Sequence, residues 1–249
     1  MIRHMLVTGM FLLCWQSGTA ADLSFRSTVN QVGLLELYTS EGCSSCPPAD
    51  QWLSGLLDNE NLWREFIPLA FHVDYWDYIG WKDRFASPDF SERQREYARQ
   101  QSIPAVYTPG FVYNGSEWRN WFVRRFFDFP RGDLPGVLEL VISDRVADVH
   151  FKTTVTAAKN LEITVALLGF GLSTKVEAGE NSGRDLTHNF VVLGISRLRL
   201  EQADDEFSAI VELPESQVTA RRYAVVAWVS NTSHQAPLQA VGGWLPDGS

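Results

Sequence analysis

The sequence predicts an α/β unit followed by an all-β, sandwich-like domain, on three observations. An apolar run, a proline-led amphipathic stretch and a second apolar run follow one another between Val32 and Val73, which is the order of a β-α-β unit. From Arg145 the texture changes to alternating apolar positions: Val149, Phe151 and Val155; then Leu161, Ile163, Val165 and Leu167; later Tyr223, Val225, Ala227 and Val229. Such runs suit a sandwich of about seven strands. A chain of 249 residues is long for one domain and comfortable for two. With 45% hydrophobic and 20% charged residues it is not a disordered or low-complexity chain. Its 21 basic residues against 30 acidic ones give a formal charge of −9, so a nucleic-acid partner is not expected.

Residues 1–20 read as a secretory signal peptide: Arg3 and His4, an apolar run from Met5 to Trp15 broken only by Thr8 and Gly9, then the small residues Ser17-Gly18-Thr19-Ala20. The run is too short to span a hydrocarbon core of roughly 30 Å, and no stable membrane insertion is expected after cleavage. The expected location is periplasmic or secreted. Val32–Tyr38 suits a buried strand and ends in the turn signal Thr39-Ser40-Glu41-Gly42. Pro47-Pro48 then leads a helix with Trp52, Leu53, Leu56 and Leu57 on one side. Phe66–Val73 reads as a second core strand, and an aromatic and acidic loop, Asp74–Asp83, follows it. Ser87 is placed as N-cap of a helix running to about Gln101, with Pro88 at its first position. Thr108-Pro109 precedes a short strand that ends at Asn114-Gly115, a strong hairpin signal. The composition shifts near Phe129–Asp133, and Leu134 to Ile142 reads as a helix finishing the first domain, so the expected domains are 30–143 and 144–249.

The chemistry is concentrated in Cys43-Ser44-Ser45-Cys46 at the start of the first helix. Cys14 leaves with the signal peptide, so these are the two cysteines of the mature chain. A bridge across so short a loop constrains the unfolded chain very little, which makes stability a poor reason for the pair. The unpaired N–H groups of a helix start stabilise a thiolate. Cys43, at the expected exposed start, is therefore the nucleophile, and Cys46, one turn on, resolves the mixed disulfide formed on Cys43. The pattern predicts an exported thiol-disulfide oxidoreductase without a cofactor, acting on a protein or small-molecule thiol or disulfide. One alternative is a copper(I)-binding or delivery protein using Cys43, Cys46 and His72, since thiolates suit that ion. Zinc lacks partners at finger spacing among His72, His150, His188 and His234. The other alternative is a non-catalytic secreted interaction module in which the pair is a structural disulfide.

The strand, the Cys-x-x-Cys helix start, the second strand and the later Thr-Pro before a strand and hairpin resemble the thioredoxin-like superfamily over residues 30–130. Gly42-Cys43-Ser44-Ser45-Cys46-Pro47-Pro48-Ala49-Asp50, His72-Val73-Asp74-Tyr75-Trp76-Asp77 and Gly179-Glu180-Asn181-Ser182-Gly183-Arg184 resemble a family of secreted bacterial proteins described as a domain of unknown function. The resemblance implies that Pro109 is a cis-proline which, with Thr108, holds a substrate backbone against Cys43. It also places the 74–83 loop at the rim of the groove, with Trp76 as binding surface. Asp74 or Asp77, with Asp74 the first choice, is the expected carboxylate taking up a proton as Cys46 is released, with Glu41 and Glu36 as rivals. The 179–188 segment reads as a polar turn between strands that also offers Arg184 and His188 to a partner.

Overall fold

The computed structural model describes residues 22–123, 133–156 and 158–246. The expected signal peptide and most of the Phe129–Asp133 stretch lie outside the described residues. In chain order the elements are β1 (Leu23–Arg26), β2 (Gly33–Thr39), α1 (Pro47–Ser54), β3 (Phe66–His72), α2 (Pro88–Arg99), β4 (Gly110–Tyr113), β5 (Ser116–Glu117), β6 (Gly136–Ser143), β7 (Val146–Thr153), β8 (Leu161–Phe170), β9 (Leu172–Lys175), β10 (Asp185–His188), β11 (Val191–Arg199), β12 (Glu201–Ala203), β13 (Glu206–Glu212), β14 (Arg222–Asn231) and β15 (His234–Trp244). The protein is thus rich in β-structure. Among the described residues no helix is long and apolar enough to cross a membrane.

The β-α-β unit forms as its apolar runs require. β2 and β3 pair in parallel, and every residue of both is buried, as expected for strands covered on both faces. The Asn114-Gly115 turn joins β4 to β5, and β4 lies antiparallel on the other side of β2. The first turn of α2 is closed by Ser87, whose hydroxyl accepts from the Asp89 amide, with Pro88 inside the first turn. Replacing Ser87 with alanine leaves that amide without its partner and is expected to cost about 1 kcal/mol in urea denaturation. A loss below about 0.3 kcal/mol would show that the proline alone sets the helix start.

Leu134 to Ile142 is not a helix. It holds β6, in which Leu138 and Leu140 face inward with partly exposed residues between them, and β6 pairs with β1 and β7. A short continuous apolar run satisfies either period, and here the available partners decide it. The expected boundary after Ser143 falls in the turn of the β6–β7 hairpin. Val155 lies beyond β7 and is exposed.

The two expected parts share one sheet, of order β15-β14-β8-β11-β3-β2-β4-β5, joined where β11 meets β3 at Val191 and Ala70. A five-stranded sheet, β1-β6-β7-β13-β12, packs on one face of the β8–β14–β15 region. The alternation along β14 makes both packings possible. Val225, Ala227 and Val229 enter the core against the five-stranded sheet, while Ala224, Val226 and Trp228 enter the core beneath α1 and α2. A third pair, β9 with β10, folds over the end of the large sheet beside α1.

Candidate functional site

β2 delivers the chain to the turn Ser40-Glu41-Gly42, and Cys43 follows. Cys46 stands at the N-cap of α1, its amide donating to the Cys43 carbonyl at 3.2 Å. The two cysteines form a disulfide with their Cα atoms 5.4 Å apart. Ser44 and Ser45 are exposed, but Cys43 and Cys46 are both 0% exposed, so Cys43 is not at an open start as expected. Two loops account for this. Gly42 has no side chain, and a Cβ there would stand 3.0 Å from Trp76 Cβ and 3.3 Å from Ile79 Cδ1, so the 74–79 loop packs directly on the cysteine turn. From the other side Asn181, fully buried, donates through Nδ2 to the Glu41 and Cys43 carbonyls at 2.8 and 2.9 Å, and Glu180 accepts from the Ser44 amide. Arg184 donates to Asn181 Oδ1, which fixes that amide's orientation.

The buried polar side chains Thr39, Glu41, Asp50, His72, Asp83 and His188 belong to the same region. Asp83 faces the His72 Nδ1 at 2.7 Å and accepts the amides of Glu41 and Phe85. Burial pulls the His72 pKa down, but Asp83, with Asp50 and Glu41, more than reverses this and holds it above its ordinary value. Burial pushes Asp83 up, and His72 with the two amides brings it below the usual carboxylate range. Asp50 is raised by burial against the opposing His188 and His72, and it accepts from the Thr39 hydroxyl at 3.0 Å. Glu41 accepts from Trp81 Nε1 at 2.8 Å and lies 3.5 Å from His188 Nε2. The His72 and His188 rings meet nearly perpendicular, 4.9 Å between centroids.

The Thr108–Pro109 bond is cis, and Trp76 Nε1 donates to Thr108 Oγ1 at 2.7 Å. Trp76 therefore touches both the cysteine turn and the proline loop. Asp74 turns elsewhere: its carboxylate and amide both engage Ser91 on α2. Asp77 accepts the Asp83 amide, and Glu36 is held by Arg93, Tyr38 and Tyr97, which leaves Glu41 as the carboxylate of the four that sits in the cysteine turn. His188, expected to face a partner, is buried, because β10 pairs with β9 and tucks its last residue beneath α1. Arg184 is exposed. Among the described residues, the convergent group that includes His72 is Asp50, His72 and His188, and it contains neither cysteine.

Residues 34–230 match the family model described as "Protein of unknown function (DUF1223)". The chain belongs to this family. Protein AGR_C_4864 from Agrobacterium tumefaciens, solved by X-ray crystallography, is 25% identical and superposes with a TM-score of 0.61, over 88% of this chain and 96% of that one. HBP35 of Porphyromonas gingivalis is 16% identical with a TM-score of 0.60, over 90% of this chain and 79% of that one, a likeness of fold alone. No curated protein matches. In this DUF1223 chain the residues that sequence reasoning missed are Asn181, Glu180, Asp50 and Asp83. Asn181 stands in the Gly179–Arg184 segment whose unusual composition was visible, but its partners lie 138 and 140 positions away.

Proposed function

We propose that this protein is an exported thiol-disulfide oxidoreductase with a thioredoxin-like active region. The observation that carries the reading is a Cys43–Cys46 disulfide directly before α1, in a β-α-β unit whose 74–79 loop joins it to a cis Thr108–Pro109 bond. A substrate thiolate attacks one sulfur of the bridge, the partner cysteine leaves as a thiolate, and a second substrate thiol completes the exchange. In the reverse direction Cys43 attacks a substrate disulfide and Cys46 resolves it. The helix start stabilises the thiolate in either case. Thr108, Pro109 and Trp76 form the surface on which an extended substrate docks. Because both sulfurs are buried, the 74–79 and 179–184 loops open before exchange.

Equilibration with glutathione buffers tests this directly. An exchangeable pair has a potential within about −280 to −100 mV, whereas a structural bridge lies below about −300 mV. Cys46→Ser leaves Cys43 unable to be resolved, so mixed disulfides accumulate on it, and Cys43→Ser is expected to abolish exchange. The burial of both sulfurs favours one rival reading, a closed structural staple in an interaction module. That reading requires a potential below the structural limit and no trapped thiol partner.

A further inference from the structure

We infer that Asp50, His72 and His188 form a buried binding site for one divalent transition-metal ion of borderline hardness, such as Zn2+. The three side chains come from α1, the end of β3 and the end of β10, and one ligand atom of each lies within 4.8 Å of the others. All three residues are at least nine-tenths buried. His72 Nε2 and both ring nitrogens of His188 have no hydrogen-bond partner there. An unpaired buried polar group costs about 1–3 kcal/mol, and a bound ion in contact with these two adjacent imidazoles offsets that cost.

The surrounding groups prepare these atoms for a cation. Asp83 accepts a hydrogen bond from the Nδ1–H of His72, which leaves Nε2 as the nitrogen without a partner, and Asp83 is itself fixed by the Glu41 and Phe85 amides. A carboxylate behind a ligating histidine is the usual outer-shell arrangement of such sites. Thr39 holds Asp50 Oδ2, leaving the other oxygen to the centre. Glu41 Oε1, also without a hydrogen-bond partner, stands 3.5 Å from His188 Nε2. Asp50, Asp83 and Glu41 bring three carboxyl groups into one buried region, and a dication offsets their charge.

Two imidazoles and one carboxylate suit zinc or iron(II) better than copper(I), which prefers thiolates, or calcium and magnesium, which prefer oxygen alone. Tetrahedral ligands about 2.0–2.2 Å from zinc stand roughly 3.3–3.6 Å apart, so closing the group needs a contraction of at most about 1.5 Å. Access comes from a pocket of about 310 Å³ between α1 and β10, lined by Pro47, Gln51, Ser54 and Leu186 together with Asp50 and His188. Three protein ligands leave a coordination position for water or a small ligand entering by that pocket.

The test uses the full mature chain with its disulfide closed, so that thiolates cannot bind metal and the outcome does not depend on thiol exchange. After chelator dialysis, Zn2+ is titrated by calorimetry and Co2+ by visible absorption. One ion per chain is expected, with a raised Tm on Zn2+ addition. Asp50→Asn and His188→Gln are each expected to weaken binding at least tenfold, and Asp83→Asn by about 10–100-fold. No binding to the wild-type chain overturns the site. Equal binding by the folded variants, checked by circular dichroism, also overturns it, since exposed carboxylates would then be the ligands. Should those variants not fold, the wild-type Co2+ spectrum decides: intense four- or five-coordinate bands support the site, and weak octahedral bands overturn it.

Discussion

Arg93→Ala is expected to destabilise the protein by about 3–5 kcal/mol, the cost of leaving a buried charge without its partner. Arg93 on α2 and Glu36 on β2 are almost completely buried and paired in two parallel hydrogen bonds, Nε and one terminal nitrogen to the two carboxylate oxygens at 2.7 and 2.8 Å. Tyr38 and Tyr97 donate to the same carboxylate, and Gln235 on β15 donates to the Arg93 carbonyl. Burial and the Glu36 charge hold both phenols well above their ordinary pKa, so they remain donors. The guanidinium also lies over the Trp228 ring of β14, 5.1 Å from its centroid. One network therefore ties α2 and β2 to β14 and β15, across the junction where separate domains were expected. Urea denaturation should show a single transition for the wild-type chain and a large fall in midpoint for Arg93→Ala. The Glu36→Gln/Arg93→Met double variant should recover part of the loss, because it leaves no unpaired charge. A loss for Arg93→Ala below about 1 kcal/mol would place this pair with ordinary surface ion pairs and refute its role as the link.

The features that were readable in the sequence are those set by neighbours a few positions apart. Ser87-Pro88 caps a helix and Asn114-Gly115 turns a hairpin through their own backbone preferences. The strand, the cysteine turn and the proline-led helix follow the same local logic. The misreading of Leu134 to Ile142 has a physical cause: Val137, Leu138, Leu140, Val141 and Ile142 suit a helix face or a strand equally, and β1 and β7 settle the choice. The β3–β11 junction rests on a pairing between residues 70 and 191, for which no local pattern exists. The same applies to the site. Asp50 stands among the helix-start residues with nothing local to mark it, and His188 ends a segment that reads as a polar turn between strands. Only the docking of β10 against α1 turns His188 towards His72.

Asn181→Ala is expected to lower stability by about 2 kcal/mol and to speed reduction of the Cys43–Cys46 bridge by at least about tenfold. The side-chain amide satisfies two buried carbonyls, Glu41 and Cys43, and its removal leaves both without that donor, at about 1 kcal/mol or more each. Arg184 loses its acceptor on the same side chain, while Glu180 keeps its exposed contact with the Ser44 amide. If reagents reach the sulfurs only when the 179–184 cover lifts, the reduction rate follows the population of the open form, and each 1.4 kcal/mol removed from the cost of opening is a factor of ten. Asn181→Asp should behave similarly or worse, since it replaces the donor with an acceptor facing two carbonyls. The measurement is the rate of reduction by excess dithiothreitol, compared with urea stability for the same variants. A normal reduction rate in a destabilised Asn181→Ala protein would show that this segment does not gate the sulfurs and would move attention to the Trp76–Ile79 side. Faster reduction with an unchanged equilibrium potential would assign the segment a kinetic role, because a change confined to the cover alters access without changing the relative stability of dithiol and disulfide.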